Sequence, residues 1–224
     1  MRIALLFAAA ATAALALAGA APAKEVSSLQ VCGADACNTV TDRDTLIRFE
    51  ESAGSYDVHT GAAAPAEYYV LRVTVDAGDG GQVAWENYYV PEARVLRGTD
   101  EYGRALWRRA PKAERTLLDS IATGVRPYPV PDVTKATVGR KTAANPASYL
   151  DLYRLKRTPS AHPKRPGWRR IRLTSTTPTP WTDGANVLRY LPRERLLERD
   201  GEYVRLPKRL ARAVQRAAAL RIPG

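Results

Sequence analysis

Sulfur and imidazole are scarce in this chain: 224 residues include two cysteines, two histidines and one methionine. Counting alone excludes a multi-cysteine zinc or iron–sulfur cluster. No Walker or Rossmann glycine pattern is present, so nucleotide binding has no support. A Gly-x-Ser-x-Gly nucleophile elbow is also missing, and no cofactor or metal site is expected. Asp76 and Asp79, beside Gly80-Gly81, lack the ligand ladder of an EF-hand and read instead as a tight turn between strands. His59 and His162 fall in Gly- and Pro-flanked stretches that read as solvated loops. The remaining composition is ordinary. With 45% hydrophobic and 25% charged residues, the chain is neither wholly disordered, nor collagen-like, nor a polytopic membrane protein.

Charge is absent from Ile3 to Ala23, a mostly Ala/Leu tract that follows Met1-Arg2 and ends in Ala21-Pro22-Ala23. This basic start, apolar run and small-residue end predict a secretory signal peptide over residues 1–23, with a mature chain from Lys24. The tract is Ala-rich and weak as a retained membrane anchor. Cys32 lies well beyond it and follows Val31, whereas a lipobox needs a small residue there. Cys32 and Cys37 frame Gly33-Ala-Asp-Ala36. After export such a pair is oxidised, and closing so short a loop contributes about 2 kcal/mol. The spacing is not that of a Cys-x-x-Cys redox motif, so a structural disulfide is expected.

Several segments recur in the same order. Tyr69-Val-Leu-Arg-Val-Thr74 is echoed by Arg169-Arg-Ile-Arg-Leu-Thr174, and Tyr89-Val-Pro-Glu-Ala-Arg-Val-Leu96 by Tyr190-Leu-Pro-Arg-Glu-Arg-Leu-Leu197. Glu101-Tyr102 matches Glu202-Tyr203, and Pro111-Lys112 matches Pro207-Lys208. Such self-similarity predicts an internal duplication, with unit 1 over 24–132 and unit 2 over 133–224. Each unit reads as strand, helix, hairpin, short strand, helix. In unit 1, Asp42 or Asp44 caps a helix whose Leu46, Ile47 and Phe49 give a buried stripe. Residues 68–76 and 82–90 alternate about a glycine-rich turn, with Tyr69, Leu71, Val73 and Val75 on one face and Tyr68, Val70, Arg72 and Thr74 on the other. Unit 2 repeats the plan with a helix over 147–155, a hairpin around Thr182-Asp-Gly-Ala185 and a helix from Lys208 to about Leu220. The expected fold class is α+β, two units with approximate two-fold pseudo-symmetry. The Pro-rich basic stretch 156–167 reads as a solvated loop.

Paired tyrosines, Tyr68-Tyr69 and Tyr88-Tyr89, stack on sugars or peptides when exposed; cross-strand packing explains them equally well and is the preferred reading. Charge is the feature that exceeds expectation. Residues 24–132 carry 12 Lys and Arg against 17 Asp and Glu, net −5, whereas residues 133–224 carry 21 against 6, net +15; Arg2 completes the overall +11. Lys208, Arg212 and Arg216 recur at helical spacing opposite Leu210, Val214 and Ala217. Arg170 and Arg172 share one strand face, and their unit 1 counterpart Arg72 has Glu86 across the strand. These five cations form the candidate anion-binding site. A basic module of this kind docks on the acidic unit of the same chain or on a protein partner, or contacts an anionic envelope polymer or lipid surface; export argues against nucleic acid.

The Ala/Arg-rich exported chain with Cys-Gly-Ala-Asp-x-Cys at 32–37, a paired-Tyr hairpin and a repeated Pro-x-x-Arg resembles uncharacterised secreted proteins of high-GC actinobacteria. The resemblance implies an extracytoplasmic location and carries no activity with it. The expected function is a secreted or envelope-associated, non-enzymatic binding protein. The alternative is an exported hydrolase-like enzyme with a cleft between the units, gathering His59 or His162 with a carboxylate.

Overall fold

Two antiparallel sheets, each with helices against one face, hold the described chain. The structure, a computed structural model, describes residues 25–53, 60–77, 81–100, 102–156, 158–159 and 166–217. The predicted signal peptide, Asp79, His59 and His162 lie outside them. In chain order the first half contains β1 (Glu25–Cys32), β2 (Cys37–Val40), α1 (Arg43–Ala53), β3 (Tyr69–Asp76), β4 (Gln82–Val90), β5 (Val95–Thr99), β6 (Ala105–Arg109) and α2 (Lys112–Ile121). The second contains β7 (Val133–Val138), β8 (Lys141–Thr142), a 3-10 helix (Ala147–Arg154), β9 (Thr158–Pro159), β10 (Arg169–Ser175), β11 (Leu188–Leu191), β12 (Leu196–Arg199), β13 (Glu202–Arg205) and α3 (Lys208–Ala217). The first sheet runs β2-β1-β3-β4-β5-β6 and the second β8-β7-β10-β11-β12-β13-β9.

Six strands follow the same order in both sheets, β9 adding an edge to the second, and the long hairpins share a register: Tyr69 faces Tyr89 and Arg169 faces Tyr190. Arg97 faces Trp107 and Glu198 faces Tyr203, so Tyr203 stands where Trp107 does and the expected match of Glu101-Tyr102 with Glu202-Tyr203 does not hold. Arg94 and Arg195 both adopt the left-handed region, at φ 57° and 54°. Their amides donate to Pro91 O and Pro192 O, and their carbonyls accept from Ala110 N and Leu206 N. Each Pro ends its strand because it has no N–H for the ladder.

Local chemistry explains the elements. Asp42 Oδ2 accepts from Thr45 N at 3.0 Å, capping α1 and turning Leu46 and Phe49 inward. Alternation in β3 sends Leu71, Val73 and Val75 beneath α1 and α2, where they meet Leu29, Val31 and Leu118. Val70, Tyr68 and Tyr88 point to the opposite, helix-free face and join a second core shared with the other half. Cys32 and Cys37 face each other in the β1–β2 ladder and are disulfide-bonded.

Several expectations change. Ile47, expected in the buried stripe of α1 with Leu46 and Phe49, is exposed. Residues 147–154 form a 3-10 helix rather than an α-helix; Pro146 opens it without a side-chain cap, and Tyr149, Leu150, Leu152 and Tyr153 are all buried, more than one α-helical stripe presents. Each half has two short strands after its long hairpin instead of one. No tight hairpin surrounds Thr182-Asp-Gly-Ala185: residues 176–187 form a long loop, since Pro178 and Pro180 cannot extend a ladder and Trp181 is fully buried.

That loop joins the halves. Trp181 donates from Nε1 to Ala63 O at 2.9 Å and packs against Tyr68 and Trp107. Arg97, 1% exposed, donates to Asp183 at 2.6 Å, and Arg199 Nη2 donates to Ala62 O at 2.8 Å. The first half therefore contributes the helix-free face of its sheet, and the second contributes a loop, its 3-10 helix and the β12–β13 end. A two-fold contact pairs a surface with itself. These surfaces are not equivalent, so the expected two-fold relation is not how the halves meet.

Candidate functional site

The five predicted cations occupy two places. Arg170 and Arg172 alternate with buried Ile171 and Leu173 and are exposed on the helix-free face of the second sheet. Arg170 lies across from Arg189, and Lys135 is paired to the next outward residue, Thr174. Lys208, Arg212 and Arg216 are exposed along α3, joined there by Arg209. That helix buries Ala211 and Val214 against the other face of the sheet; Tyr149 of the 3-10 helix donates to Val214 O, and Gln215 donates to Tyr190 Oη. The sheet thus separates the arginine pair from the helical stripe, and the five do not form one surface. Among the described residues, none of the five has an acidic partner. Arg72 does, donating to Glu86 at 2.9 Å, while Val187 occupies the position of Glu86 in the second half.

A second feature was not anticipated from sequence. Beyond Tyr88, β4 departs from β5, so residues 82–87 of β4 pair only with β3. The wedge opens into a pocket of about 640 Å³ between α1 and the first sheet, within the range of roughly 300–1,000 Å³ typical of ligand sites. Phe49, Val73, Trp85, Leu96 and Leu106 form its apolar lining, with Glu50, Glu86 and Asn87 among its polar residues. Trp85 is 44% exposed and Val83, on the same strand, 52%. Arg108, also in the lining, donates two bonds to the fully buried Glu114 carboxylate, at 2.6 and 2.5 Å. The corresponding region of the second half is closed. There Tyr153 donates to Trp181 O, and Arg199 lies over the Tyr153 ring. Gly98 stands at the register position of Arg199, and the Asn87 side chain, whose Oδ1 would lie 2.6 Å from a Cβ there, takes the space beside it.

No family model, curated protein or solved structure matches this chain. Its site must be judged on its own chemistry.

The paired tyrosines are packing residues: Tyr68, Tyr88 and Tyr89 are buried, and Tyr89 Oη donates to Asp119 at 2.9 Å. Burial raises the Tyr88 hydroxyl to about 12 and also raises Tyr68. At the junction, burial pushes the Asp183 carboxyl up and Arg97 pulls it back; the same burial lowers Arg97. A smaller pocket of about 340 Å³ lies between the halves, lined by residues including Thr60, Trp107, Asp200 and Glu202. Its described lining contains no histidine or cysteine. Among the described residues no cluster suited to a metal ion occurs, and no helix is long and apolar enough to cross a membrane.

Proposed function

We propose that this chain is an exported, non-enzymatic binding protein, built by internal duplication, whose basic second half contacts an anionic component of the cell envelope through α3. The observation that carries this reading is the row Lys208, Arg212 and Arg216, joined by Arg209: all exposed and without an acidic partner among the described residues, on a helix anchored by Ala211 and Val214. Cations held on a rigid helix present a fixed row of charge at little extra entropic cost. Near an anionic lipid surface each contributes on the order of 1 kcal/mol. The disulfide supports export, because such bonds persist in oxidising compartments. Matching element order, register and left-handed arginines support duplication.

Co-sedimentation of the mature protein with vesicles tests the reading. Binding to anionic vesicles, or to an anionic wall polymer in a parallel arm, should exceed binding to zwitterionic vesicles. It should also fall steeply as salt rises through the range where the screening length shrinks to about 10 Å. Equal binding to neutral and anionic vesicles, or no binding to either anion, would refute it.

A further inference from the structure

The smaller pocket, between the halves, gathers polar groups that the α3 row does not involve. Edge strand β6 lines it with Ala105, Leu106 and Trp107, the segment before β3 with Thr60 and Gly61, and the β12–β13 hairpin with Asp200, Gly201 and Glu202. Trp107 O accepts from Thr60 N at 2.9 Å, which sets these two residues side by side. Trp107 is 2% exposed, yet its indole Nε1 has no hydrogen-bond partner, and neither has the buried Thr60 Oγ1. Buried polar atoms are nearly always bonded, so two such neighbours in the lining of one cavity call for a bonding group. Carboxylates line the same cavity. Asp200 Oδ2 lies 3.6 Å from Arg199 Nε. Glu202 Oε2 lies 2.4 Å from where a Gly61 Cβ would stand, with Arg199 Nη2 at 3.3 Å from the same point. Buried Arg199 thus already gives these carboxylates a cation. A carboxylate has about four acceptor sites, so each keeps lone pairs for further donors.

We propose that this pocket binds one ring of a neutral sugar. A hydroxyl both donates and accepts. Adjacent hydroxyls can therefore take the Trp107 N–H and give to a carboxylate at once, with Thr60 in either role. An ammonium has nothing to accept the indole proton, and an anion would meet Asp200 and Glu202. Ala105 and Leu106 offer an apolar flank for the C–H face of the ring. The volume of about 340 Å³ is near the low end for ligand sites and suits one ring rather than several. Asp200 is exposed while Trp107 is buried, so the ring enters past the hairpin turn and, once bound, touches both halves.

Indole NMR of the mature protein tests this. Four tryptophans give four indole N–H signals, and Trp107→Phe identifies the one from Trp107. Among glucose, galactose, mannose and N-acetylglucosamine, at least one should move that signal saturably. Its Kd should be the same at low and high salt, because an uncharged ligand is not screened. Glu202→Gln and Thr60→Val should each weaken binding by roughly three- to tenfold, the loss of one hydrogen bond. Gly61→Ala should weaken it too, since the added Cβ displaces the Glu202 carboxylate, the free end of a flexible side chain, without removing it. Melting temperatures verify that the variants fold, and three separate substitutions keep the test open if one does not. No saturable shift with any of the four sugars would mean that the pocket holds water only and overturns the proposal. So does saturable binding of methylammonium or acetate in their place, or sugar binding that Glu202→Gln leaves unchanged. Arg212→Glu with Arg216→Glu should bind the sugar as the wild type does, and failure of sugar binding leaves the envelope reading untouched.

Discussion

Glu114 illustrates how a single residue sets the stability of the first half. It is fully buried, and both carboxylate oxygens are taken by Arg108. Such a pair is weak evidence for net stability because desolvation offsets the Coulomb gain, but removing one partner strands the other charge. Glu114→Ala is therefore expected to lower unfolding free energy by about 3–5 kcal/mol in urea titration; a loss below about 1 kcal/mol would mean that water reaches Arg108. Tyrosines make the opposite end of the pH scale informative. Burial raises Tyr88 and Tyr149 to about 12, and Tyr68 and Tyr89 are raised as well. In the unfolded chain these phenols ionise near 10. Between about 10 and 12 the unfolded state therefore releases protons that the folded state retains, and stability falls as pH rises. Alkaline titration should show tyrosinate absorbance rising together with loss of fold. Early, non-cooperative titration of Tyr68, Tyr88, Tyr89 and Tyr149 would contradict their burial.

Among the elements, the β1–β2 ladder is held by Cys32–Cys37 and by Asn38, whose side chain donates to Ile121 O at 2.7 Å, at the end of α2. Replacing both cysteines by serine should cost about 2 kcal/mol, the loop-closure value for so short a ring. Purified without reductant, the chain should offer no reactive thiol; thiols that label under those conditions would exclude the bridge. Such elements were legible because their causes are local. Alternation in residues 69–75, the Asp42 cap and the cysteine spacing each act within a few residues. Elements that depended on distant partners were not. Residues 147–154 carry helix-compatible residues, yet burial on several sides tightened them to a 3-10 helix. The loop 176–187 contains an Asp-Gly turn signal, but Trp181 is fixed by Ala63, more than a hundred positions away. The β12–β13 hairpin had its signal in Asp200-Gly201, both left-handed at φ 52° and 80°, as a type I′ turn requires. The open wedge had no signal at all, because it arises where β4 and β5 diverge.

For the molecule as a whole, the segregation of charge seen along the sequence became a question of sides. Parity in β10 sends Arg170 and Arg172 to the helix-free face, while the apolar stripe of α3 fixes its cations on the other. Residue types and spacing were readable, but only the packing of α3 on the sheet shows that the two groups are separated. The acidic half meets Trp181, Arg199 and Asp183 of the second half through Ala63, Ala62 and Arg97, and leaves its own wedge open. Of the two basic surfaces, the α3 row is the one proposed to meet an anionic envelope component; the Arg170–Arg172 face is a separate one. The measurement that bears most directly on the first is vesicle binding by paired charge reversals. Arg212→Glu with Arg216→Glu should reduce affinity for anionic vesicles by about a hundredfold or more, taking on the order of 1 kcal/mol per cation and the added repulsion. Arg170→Glu with Arg172→Glu should bind as the wild type does, both variants melting unchanged. Equal loss in the two variants, or full binding by the α3 variant, would contradict the assignment of the contact to α3.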